Sequence, residues 1–489
     1  MVTTVSDIAA LANCEHIEGS LSVSGLDQGS IGLGALDRLQ SIGGSLNVSA
    51  NAGLSSLAGL SGLRSVGASV MVQENAVLTD VSALAGIESI GGDLNLSDNP
   101  ALVSMGAQFV LHSLGGSLEF TENNALELVQ GFSQLVSIGG GLSIDSNDGL
   151  VRLEGFAQLS ALGGPLRVLY NASLVDFDAL SGVQTIGGEL LIEGNLLLED
   201  LDGLASLLAV PAQFKLQDNI SLLHVDGLSS LGSVAGELRI EDNIVLTDLD
   251  GMSNLISLGG NLDITDNIAL QDLDGLASLS YLGGNLLIHQ NDVLSDVDGL
   301  SALISLPGIA SVFGNDSLAN LDGFAGVTLV QGTLQISNNL VLNDLDGLAA
   351  ITAVAGSVTI DGNGALSQLN GLGGLRNITG ALTLSGHPQL VDVDGLSALE
   401  SVGMALLVVD NPSLQHLNGF ASLESVGAEV VVERNHQLHS VSGLEGLQVG
   451  SNFTLSSNDS LCQQHAQELA SSLQTGGWVE VSDNSGSCP

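Results

Sequence analysis

Apolar residues recur along this chain with a period of 24 residues. An aliphatic residue, usually followed by one or two glycines, marks each repeat and occurs 17 times without an insertion or deletion. These index residues are Ile42, Val66, Ile90, Leu114, Ile138, Leu162, Ile186, Val210, Val234, Leu258, Leu282, Leu306, Val330, Val354, Ile378, Val402 and Val426. Self-similarity at a fixed period indicates a repeat architecture, in which each repeat packs on its neighbours.

Two spacings of apolar residues occur within each repeat. If the index residue is position zero, positions +4 and +6 are apolar, as at Leu262 and Ile264, which predicts a short strand with one buried face. Apolar or inward positions then follow at every third residue, a spacing that fits neither an α-helix nor a continuous strand. Glycine at +17 in 14 of 17 repeats supplies backbone freedom at a corner. We therefore predict an all-β solenoid of stacked 24-residue coils with parallel strands.

Position +9 is asparagine in 16 of the 17 repeats, with His387 as the exception. An inward asparagine at a corner can bond backbone groups of its own coil and of the adjoining coil. We therefore predict a structural role for this position, with Asn243, Asn267 and Asn291 as representative residues.

The pattern weakens toward both ends, which divides one continuous structural domain into three predicted regions. Residues 1–41 form an N-terminal capping coil, residues 42–448 the solenoid of seventeen repeats, and residues 449–489 a C-terminal cap. Within the cap, Asp459 and Ser460 are placed to cap a short helix over Leu461–Leu473. Trp478 is expected to close the end of the core.

The three cysteines bear on the cellular compartment. Cys462 and Cys488 both lie in the C-terminal cap, where a disulfide between them would crosslink the cap and imply an oxidising compartment. Cys14 lies in the opposite capping region, too many coils away to pair with either. The alternative is that these cysteines are free and buried.

The charge balance limits the class of partner. The chain has 54 acidic and 8 basic residues, a net charge of −46, and such a surface repels nucleic acid. No run of 18 apolar residues occurs, so no transmembrane segment is predicted. The first eight residues lack the basic and apolar regions of a signal peptide. Either the protein is not exported, or the numbering begins after a removed leader.

The repeat unit resembles that of the receptor L-domain. The likeness is carried by segments such as Leu258-Gly-Gly-Asn-Leu-Asp-Ile-Thr-Asp-Asn267, followed by Leu270, and by the opening Cys14-Glu-His-Ile17-Glu-Gly-Ser-Leu21. Bacterial surface proteins and fungal cell-wall proteins are built from a similar unit. The resemblance covers nearly the whole chain. It implies a right-handed parallel β-helix, related to leucine-rich repeats, that acts as an extracellular or cell-surface, non-enzymatic binding module. It does not identify the ligand, because receptor L-domains have only a few coils and more disulfides.

Candidate catalytic chemistry is sparse. The nine histidines are scattered and form no recurring set with serine, cysteine and aspartate, so we expect neither enzymatic activity nor a resident cofactor. The most regular polar position is +16, which is aspartate in eight successive repeats from Asp178 to Asp346. These carboxylates either cap a turn by accepting backbone N–H groups or bind Ca²⁺. The weak metal candidates are Asp202, Asp226, Asp250, Asp274 and Asp298.

The outward strand positions +3, +5 and +7 vary most between repeats, and a variable surface suits recognition. The candidate binding residues lie in the repeats from 162 to 313 that carry this surface, and their types are enriched at interfaces: Arg167, Tyr170, Lys215, Arg239, His289 and Phe313. The three basic residues form either a recognition site or local pairs with Glu193, Glu237 and Glu241.

Three functional hypotheses follow. The first is a recognition module for an unknown protein or glycan; the second is a structural spacer or a cell-wall or envelope scaffold; the third is an acidic solenoid loaded with Ca²⁺. The oligomeric state does not follow from the sequence.

Overall fold

The +4/+6 alternation forms a four-residue strand in each repeat. A computed structural model describes residues 2–26 and 32–488; residues 1, 27–31 and 489, which belong to the predicted caps, lie outside the described residues. In the strand Leu142–Asp145, Leu142 and Ile144 are buried while the two residues between and after them are half-buried. Within a unit, successive four-residue strands pair in parallel, as Leu118 lies opposite Leu142. We call the surface of outward residues on these strands the strand face.

The chain forms two compact units. Unit 1 comprises Met1–Leu246 and Asp250–Leu255, and unit 2 comprises Thr247–Leu249 and Ile256–Pro489. Each is built from stacked coils that carry a four-residue strand, a two-residue strand before it and, in most repeats, a single 3-10 turn after it. Both units therefore have the architecture of a repeat β-solenoid.

Unit 1 begins with a helix, Val5–Ala10, capped by the Thr4 side chain. Its four-residue strands are Leu21–Ser24, Leu46–Ser49, Val70–Gln73, Leu94–Ser97, Leu118–Thr121, Leu142–Asp145, Leu166–Leu169, Leu190–Glu193, Phe214–Gln217 and Leu238–Glu241. Its two-residue strands are His16–Ile17, Ser41–Ile42, Ser65–Val66, Ser89–Ile90, Ser113–Leu114, Leu128–Val129, Ser137–Ile138, Arg152–Leu153, Ala161–Leu162, Ala209–Val210 and Ser233–Val234. Its 3-10 helices are Gly34–Leu36, Ala58–Leu60, Ser82–Gly86, Asp178–Leu180, Asp202–Leu204, Asp226–Leu228 and Asp250–Met252.

Unit 2 repeats this arrangement and contains the helix Gln463–Ser472. Its four-residue strands are Leu262–Thr265, Leu286–His289, Ala310–Phe313, Leu334–Ser337, Val358–Asp361, Leu382–Ser385, Leu406–Val409, Val430–Glu433, Phe453–Ser456 and Val479–Ser482. Its two-residue strands are Ser257–Leu258, Tyr281–Leu282, Ser305–Leu306, Leu329–Val330, Ala353–Val354, Asn377–Ile378, Ser401–Val402, Ser425–Val426, Gln448–Val449 and Gln474–Thr475. Its 3-10 helices are Asp274–Leu276, Asp298–Leu300, Asp322–Phe324, Asp346–Leu348, Asn370–Leu372, Asp394–Leu396, Asn418–Phe420 and Ser442–Leu444.

The core is aliphatic, with one local aromatic stack in unit 1. Phe132 lies between Phe109 and Phe156, with ring centroids 4.8 and 5.3 Å apart. Around this stack the chain forms the paired strands Leu128–Val129 and Arg152–Leu153 where other repeats have a 3-10 turn. Gly131 and Gly155, the +17 residues that follow these strands, adopt positive φ, +100° and +79°. The +16 residue in these two repeats is not aspartate.

Position +9 carries a buried side chain that joins adjacent coils. Asn171 donates its backbone N–H to Oδ1 of Asn195 at 3.2 Å. Its own Nδ2 donates to the carbonyl of Ile144 in the preceding coil at 3.0 Å and to that of Leu169 in its own coil at 2.8 Å. We call these residues, none more than 3% exposed, the Asn ladder.

The Asn ladder runs through both units. In unit 1 it consists of Asn51, Asn75, Asn99, Asn123, Asn147, Asn171, Asn195, Asn219 and Asn243. In unit 2 it consists of Asn267, Asn291, Asn315, Asn339, Asn363, His387, Asn411, Asn435, Asn458 and Asn484.

His387 replaces asparagine in the ladder without reaching solvent. Its Nε2 lies 3.0 Å from the carbonyl oxygen of Ile360, and its Nδ1 lies 3.3 Å from that of Asn363. A neutral imidazole has one N–H, so it can donate to only one of these oxygens. Burial lowers the pKa of His387 below its usual value, although both carbonyls act in the opposite direction.

The C-terminal helix differs from its predicted form. It begins at Gln463, with Cys462 in the capping position, so the prediction of Asp459 and Ser460 as the N-cap is wrong. A disulfide joins Cys462 to Cys488, with 5.0 Å between the Cα atoms, and ties the start of the helix to the last segment of the chain. The Asp459 carboxylate instead contacts His436 at 2.8 Å.

The helix also closes the Asn ladder. Asn484, the last member, donates its backbone N–H and its Nδ2 to Oε1 of Gln463, both at 3.2 Å. Gln463 therefore takes the place that the next coil's asparagine takes elsewhere. The prediction that Trp478 closes the core is wrong: it is 55% exposed, because the strand that follows it pairs, among the described residues, only with Phe453–Ser456.

The ladder geometry predicts that Asn291→Ala destabilises the protein. The change removes the Nδ2 bonds to the carbonyls of Ile264 and His289 and leaves the buried N–H of Asn267 without its Oδ1 acceptor. We expect a loss of about 1–3 kcal/mol, measured as a lower Tm by calorimetry. The exposed Asn343→Ala is the control and should melt like the parent. Equal Tm values for both variants would contradict a structural ladder.

A second prediction concerns pH. The folded-state pKa of His387 lies below the unfolded value of about 6.5, so the unfolded chain binds a proton more readily. The neutral, buried His387 therefore makes its full contribution to the free energy of unfolding above about pH 6.5. That contribution is lost as the pH falls toward the folded-state pKa. His387→Asn should remove this dependence, so that its Tm advantage over the parent grows between about pH 7.5 and about pH 5.5. A Tm difference that stays constant, or one matched by the exposed His465→Asn, argues against it.

Candidate functional site

The strand face of unit 1 gathers three of the predicted binding residues. Position +5 places Arg167, Leu191, Lys215 and Arg239 in one row, each opposite the next on adjacent parallel strands. Adjacent strands lie about 4.8 Å apart, so these side chains are near neighbours. Every outward side chain in this row is anchored on a strand whose alternate residues are buried, for example Leu166 and Val168.

Each basic side chain in this row contacts a glutamate. Arg167 reaches Glu189 at 2.6 Å, Lys215 reaches Glu193 at 2.8 Å, and Arg239 reaches Glu241 at 2.6 Å. We call these six residues the ion-paired patch. The basic side chains are 28–42% exposed and the acidic ones 15–24%, so the cations form its outer layer.

Of the two alternatives for the three basic residues, local ion pairs are present, although one of the partners differs from the expected set. Glu193 and Glu241 are partners as expected, but the third anion is Glu189 and not Glu237. The reason is geometric, because Glu189 occupies position +3 of the next coil. From there its carboxylate accepts hydrogen bonds from both Nε and Nη2 of Arg167. Gln213, at +3 of the coil after that, donates to the other oxygen of Glu189 at 3.0 Å.

Tyr170 extends the patch with an exposed aromatic ring. It is 49% exposed, and its hydroxyl donates to the Glu193 carboxylate. This bond, together with burial, raises the pKa of Tyr170 to about 12. Burial alone would raise the pKa of Glu193, but hydrogen bonds from Lys215 and Tyr170 outweigh it and hold that pKa below its usual range. Glu193 therefore stays ionised and fixes two neighbouring side chains.

The remaining predicted binding residues belong to unit 2. His289 and Phe313 lie on adjacent strands with their rings edge to face, 5.9 Å between centroids. His289 Nε2 contacts the Ser311 hydroxyl at 2.8 Å, and burial lowers the pKa of the imidazole. The six residues are thus divided between the two units, four in unit 1 and two in unit 2.

The +16 carboxylates start the 3-10 helices, but at Asp202 and Asp298 the turn is capped from a different position. Asp202, Asp226, Asp250, Asp274 and Asp298 are each the first residue of such a helix. At Asp202 and Asp298 the turn is capped from +14 instead: Asp200 Oδ1 accepts the N–H of Asp202 at 3.0 Å, and Asp296 Oδ1 accepts that of Asp298 at 3.2 Å. At these positions the expectation that the +16 oxygen caps the turn is therefore wrong.

Two carboxylates at position +16 have a raised pKa. Partial burial, and then the neighbouring carboxylates of Asp296 and Asp322, raise the pKa of Asp298. Burial, and then Asp200 and Asp176, raise the pKa of Asp178 in the same way. At Asp178 and Asp298, burial first and neighbouring carboxylates second thus disfavour the ionised form.

One group of metal-ligand side chains was missed by the sequence analysis. Asp392, Asp394 and His416 each place one ligand atom within 4.8 Å of the ligand atoms of the other two. No other such group occurs among the described residues. These are positions +14 and +16 of one repeat and +14 of the next. The same residue types occur at Asp200, Asp202 and His224, so the sequence contains the signal but does not distinguish the two places.

No helix in the described part of the chain is long and apolar enough to cross a membrane.

Comparisons with known proteins assign this chain to no family. Neither the family models nor the curated proteins give a match. Among solved structures, an internalin (inlF) from Listeria monocytogenes is 17% identical, over 82% of this chain and 88% of that chain, with a TM-score of 0.31. A TLR13–ssRNA13 complex is 14% identical, over 94% of this chain and 80% of that chain, with a TM-score of 0.28. The class of protein, a repeat β-solenoid, is therefore defined by the chain's own strand register. The likeness to the receptor L-domain remains a resemblance of the repeat unit.

Proposed function

We propose that this protein is a non-enzymatic recognition module that binds a protein or glycan through the strand face of unit 1. The observation that carries the proposal is the ion-paired patch. Three of only eight basic residues in the chain lie on one row of neighbouring strands, beside the exposed Tyr170.

Pre-organisation supports this role. Side chains that are already held by hydrogen bonds lose less conformational entropy when a partner binds. Lys215 and Tyr170 are both held by Glu193, and Arg167 is held through two nitrogens by Glu189. Arginine and tyrosine are also the residue types that contribute most at interfaces. The patch thus offers ordered donors and an aromatic ring on a rigid sheet.

The charge of the whole chain would orient the partner. With a net charge of −46, most of the surface repels anionic molecules, and the patch is where cations and anions alternate. Electrostatic complementarity sets register and suppresses wrong partners more than it adds affinity. A partner with alternating acidic and basic groups, or with many hydroxyl groups, fits this surface.

We place this activity outside the cell or on the cell surface. The disulfide between Cys462 and Cys488 supports an oxidising compartment. Cys14 is a free, half-buried thiol and bears no such information.

A structural spacer or envelope scaffold is the second candidate function. The repeated hydrogen bonding of the Asn ladder favours it, because bonds between adjacent coils stiffen each unit. Under this hypothesis the ion-paired patch contributes only to the surface and binds nothing.

The test compares two variants of the full chain. Arg167→Gln, Lys215→Gln and Arg239→Gln together remove the patch cations, whereas Arg376→Gln with Arg434→Gln removes ion pairs with Glu400 and Asp410 elsewhere. Exposed pairs contribute about 0–1 kcal/mol each, so both variants should melt close to the parent. Immobilised proteins are then probed with a glycan array and with extracts of surface proteins.

The proposal expects a component that binds the parent and the control but binds the patch variant at least about tenfold more weakly, a difference of about 1.4 kcal/mol. Partners that bind all three proteins equally would contradict the assignment of the patch and favour the scaffold.

A further inference from the structure

The three side chains Asp392, Asp394 and His416 are brought together by the stacking of two coils. Asp392 and His416 occupy position +14 of successive repeats and lie side by side in a parallel bridge. Asp394 follows at +16 as the first residue of a 3-10 helix. Its N–H donates to Asp392 Oδ1 at 3.0 Å, which fixes the orientation of that carboxylate. The geometry therefore rests on backbone positions that the repeat itself determines.

The Nδ1 atom of His416 forms no hydrogen bond with any described residue. Its Nδ1 is buried and has no hydrogen-bond partner, although the side chain as a whole is 25% exposed. The closest acceptor, Asp394 Oδ1, lies 3.7 Å away, which is too far for a hydrogen bond. Buried polar atoms without a partner are rare, and an ion or a water is the usual explanation. Ligand atoms that each lie about 2 Å from one ion lie roughly 3–4 Å from each other, as this pair does.

An equivalent histidine in unit 1 shows why the group forms at this position. His224 also has Asp at +14 and +16 in the preceding repeat, and its buried Nδ1 likewise has no hydrogen-bond partner. The carboxylate that its Nδ1 approaches, at 3.4 Å, is however Asp226 of its own coil. In the coil of His416 the corresponding residue is Asn418, whose Oδ1 accepts the hydroxyl of Ser442 at 3.0 Å. No carboxylate of its own coil therefore competes for the His416 imidazole, which faces Asp394.

We propose that Asp392, Asp394 and His416 bind a divalent transition-metal ion of the Zn²⁺ class. One imidazole nitrogen and two carboxylates form a mixed donor set that suits Zn²⁺, Co²⁺, Ni²⁺ or Cu²⁺. Ca²⁺ prefers oxygen ligands alone, so this site differs in kind from the Ca²⁺ sites considered for the +16 row. Three protein ligands leave at least one coordination position for water or for a group of a partner molecule. This proposal is independent of the strand-face function.

The test uses the full chain after removal of bound metal, with Zn²⁺ as the probe in calorimetric titration and Co²⁺ as the spectroscopic probe. The parent should show one site that is clearly tighter than the weak binding expected of 54 scattered carboxylates. Asp394→Asn and His416→Gln should each weaken that site at least about tenfold, and His416→Gln should also abolish the Co²⁺ absorption of an imidazole-ligated ion. Melting curves check that both variants fold.

His224→Gln is the matched control, since it removes an equivalent histidine in the other unit. It should leave the affinity for Zn²⁺ unchanged, and excess Ca²⁺ should not displace Zn²⁺ from the parent. The proposal fails if the parent has no site tighter than the weak background. It also fails if His416→Gln binds Zn²⁺ as tightly as the parent, which would show binding by carboxylates alone.

Discussion

The structure depends on one backbone constraint, the left-handed turn that follows each strand. Position +8 has positive φ in most repeats, often in a residue that is not glycine, such as Tyr170 at 52° or Asp218 at 56°. This conformation is unfavourable for an L-residue and turns the next backbone N–H away from the sheet. The inward asparagine at +9 resolves both problems, because its Oδ1 accepts the N–H of the preceding coil while its Nδ2 bonds carbonyls of two coils. The turn is thus stabilised by the neighbouring repeat.

This interdependence explains the fixed period of the sequence. An asparagine can serve the preceding coil only when it lies at the same position, so an inserted residue would leave buried amides unpaired on both sides of the break. The chain accordingly keeps its register through 17 index residues. Most variation lies at outward positions, which carry the ion-paired patch in unit 1 and the Asp392–Asp394–His416 group in unit 2.

The inward half of the fold could be predicted from the sequence because burial imposes a strict periodicity. The strand positions and the inward +9 residues follow from spacing alone. Interactions between outward side chains could be predicted only in part, since they depend on which neighbour a side chain reaches. Arg167 contacts Glu189 one coil away, and His416 faces Asp394 because Asn418 replaces a competing carboxylate. Nor does periodicity describe the C-terminal helix, where a disulfide and Gln463 determine how the coil ends.

Hydrogen exchange at the ladder amides tests the central claim most directly. The backbone N–H of Asn291 follows a left-handed turn and donates to Oδ1 of Asn315 at 3.0 Å. The account predicts that this amide exchanges as slowly as those of the adjacent strand Leu286–His289, and that Asn315→Ala accelerates its exchange selectively. Exchange at the rate of an exposed turn in the parent protein, or no change in the variant, would contradict a solenoid held together by its asparagines.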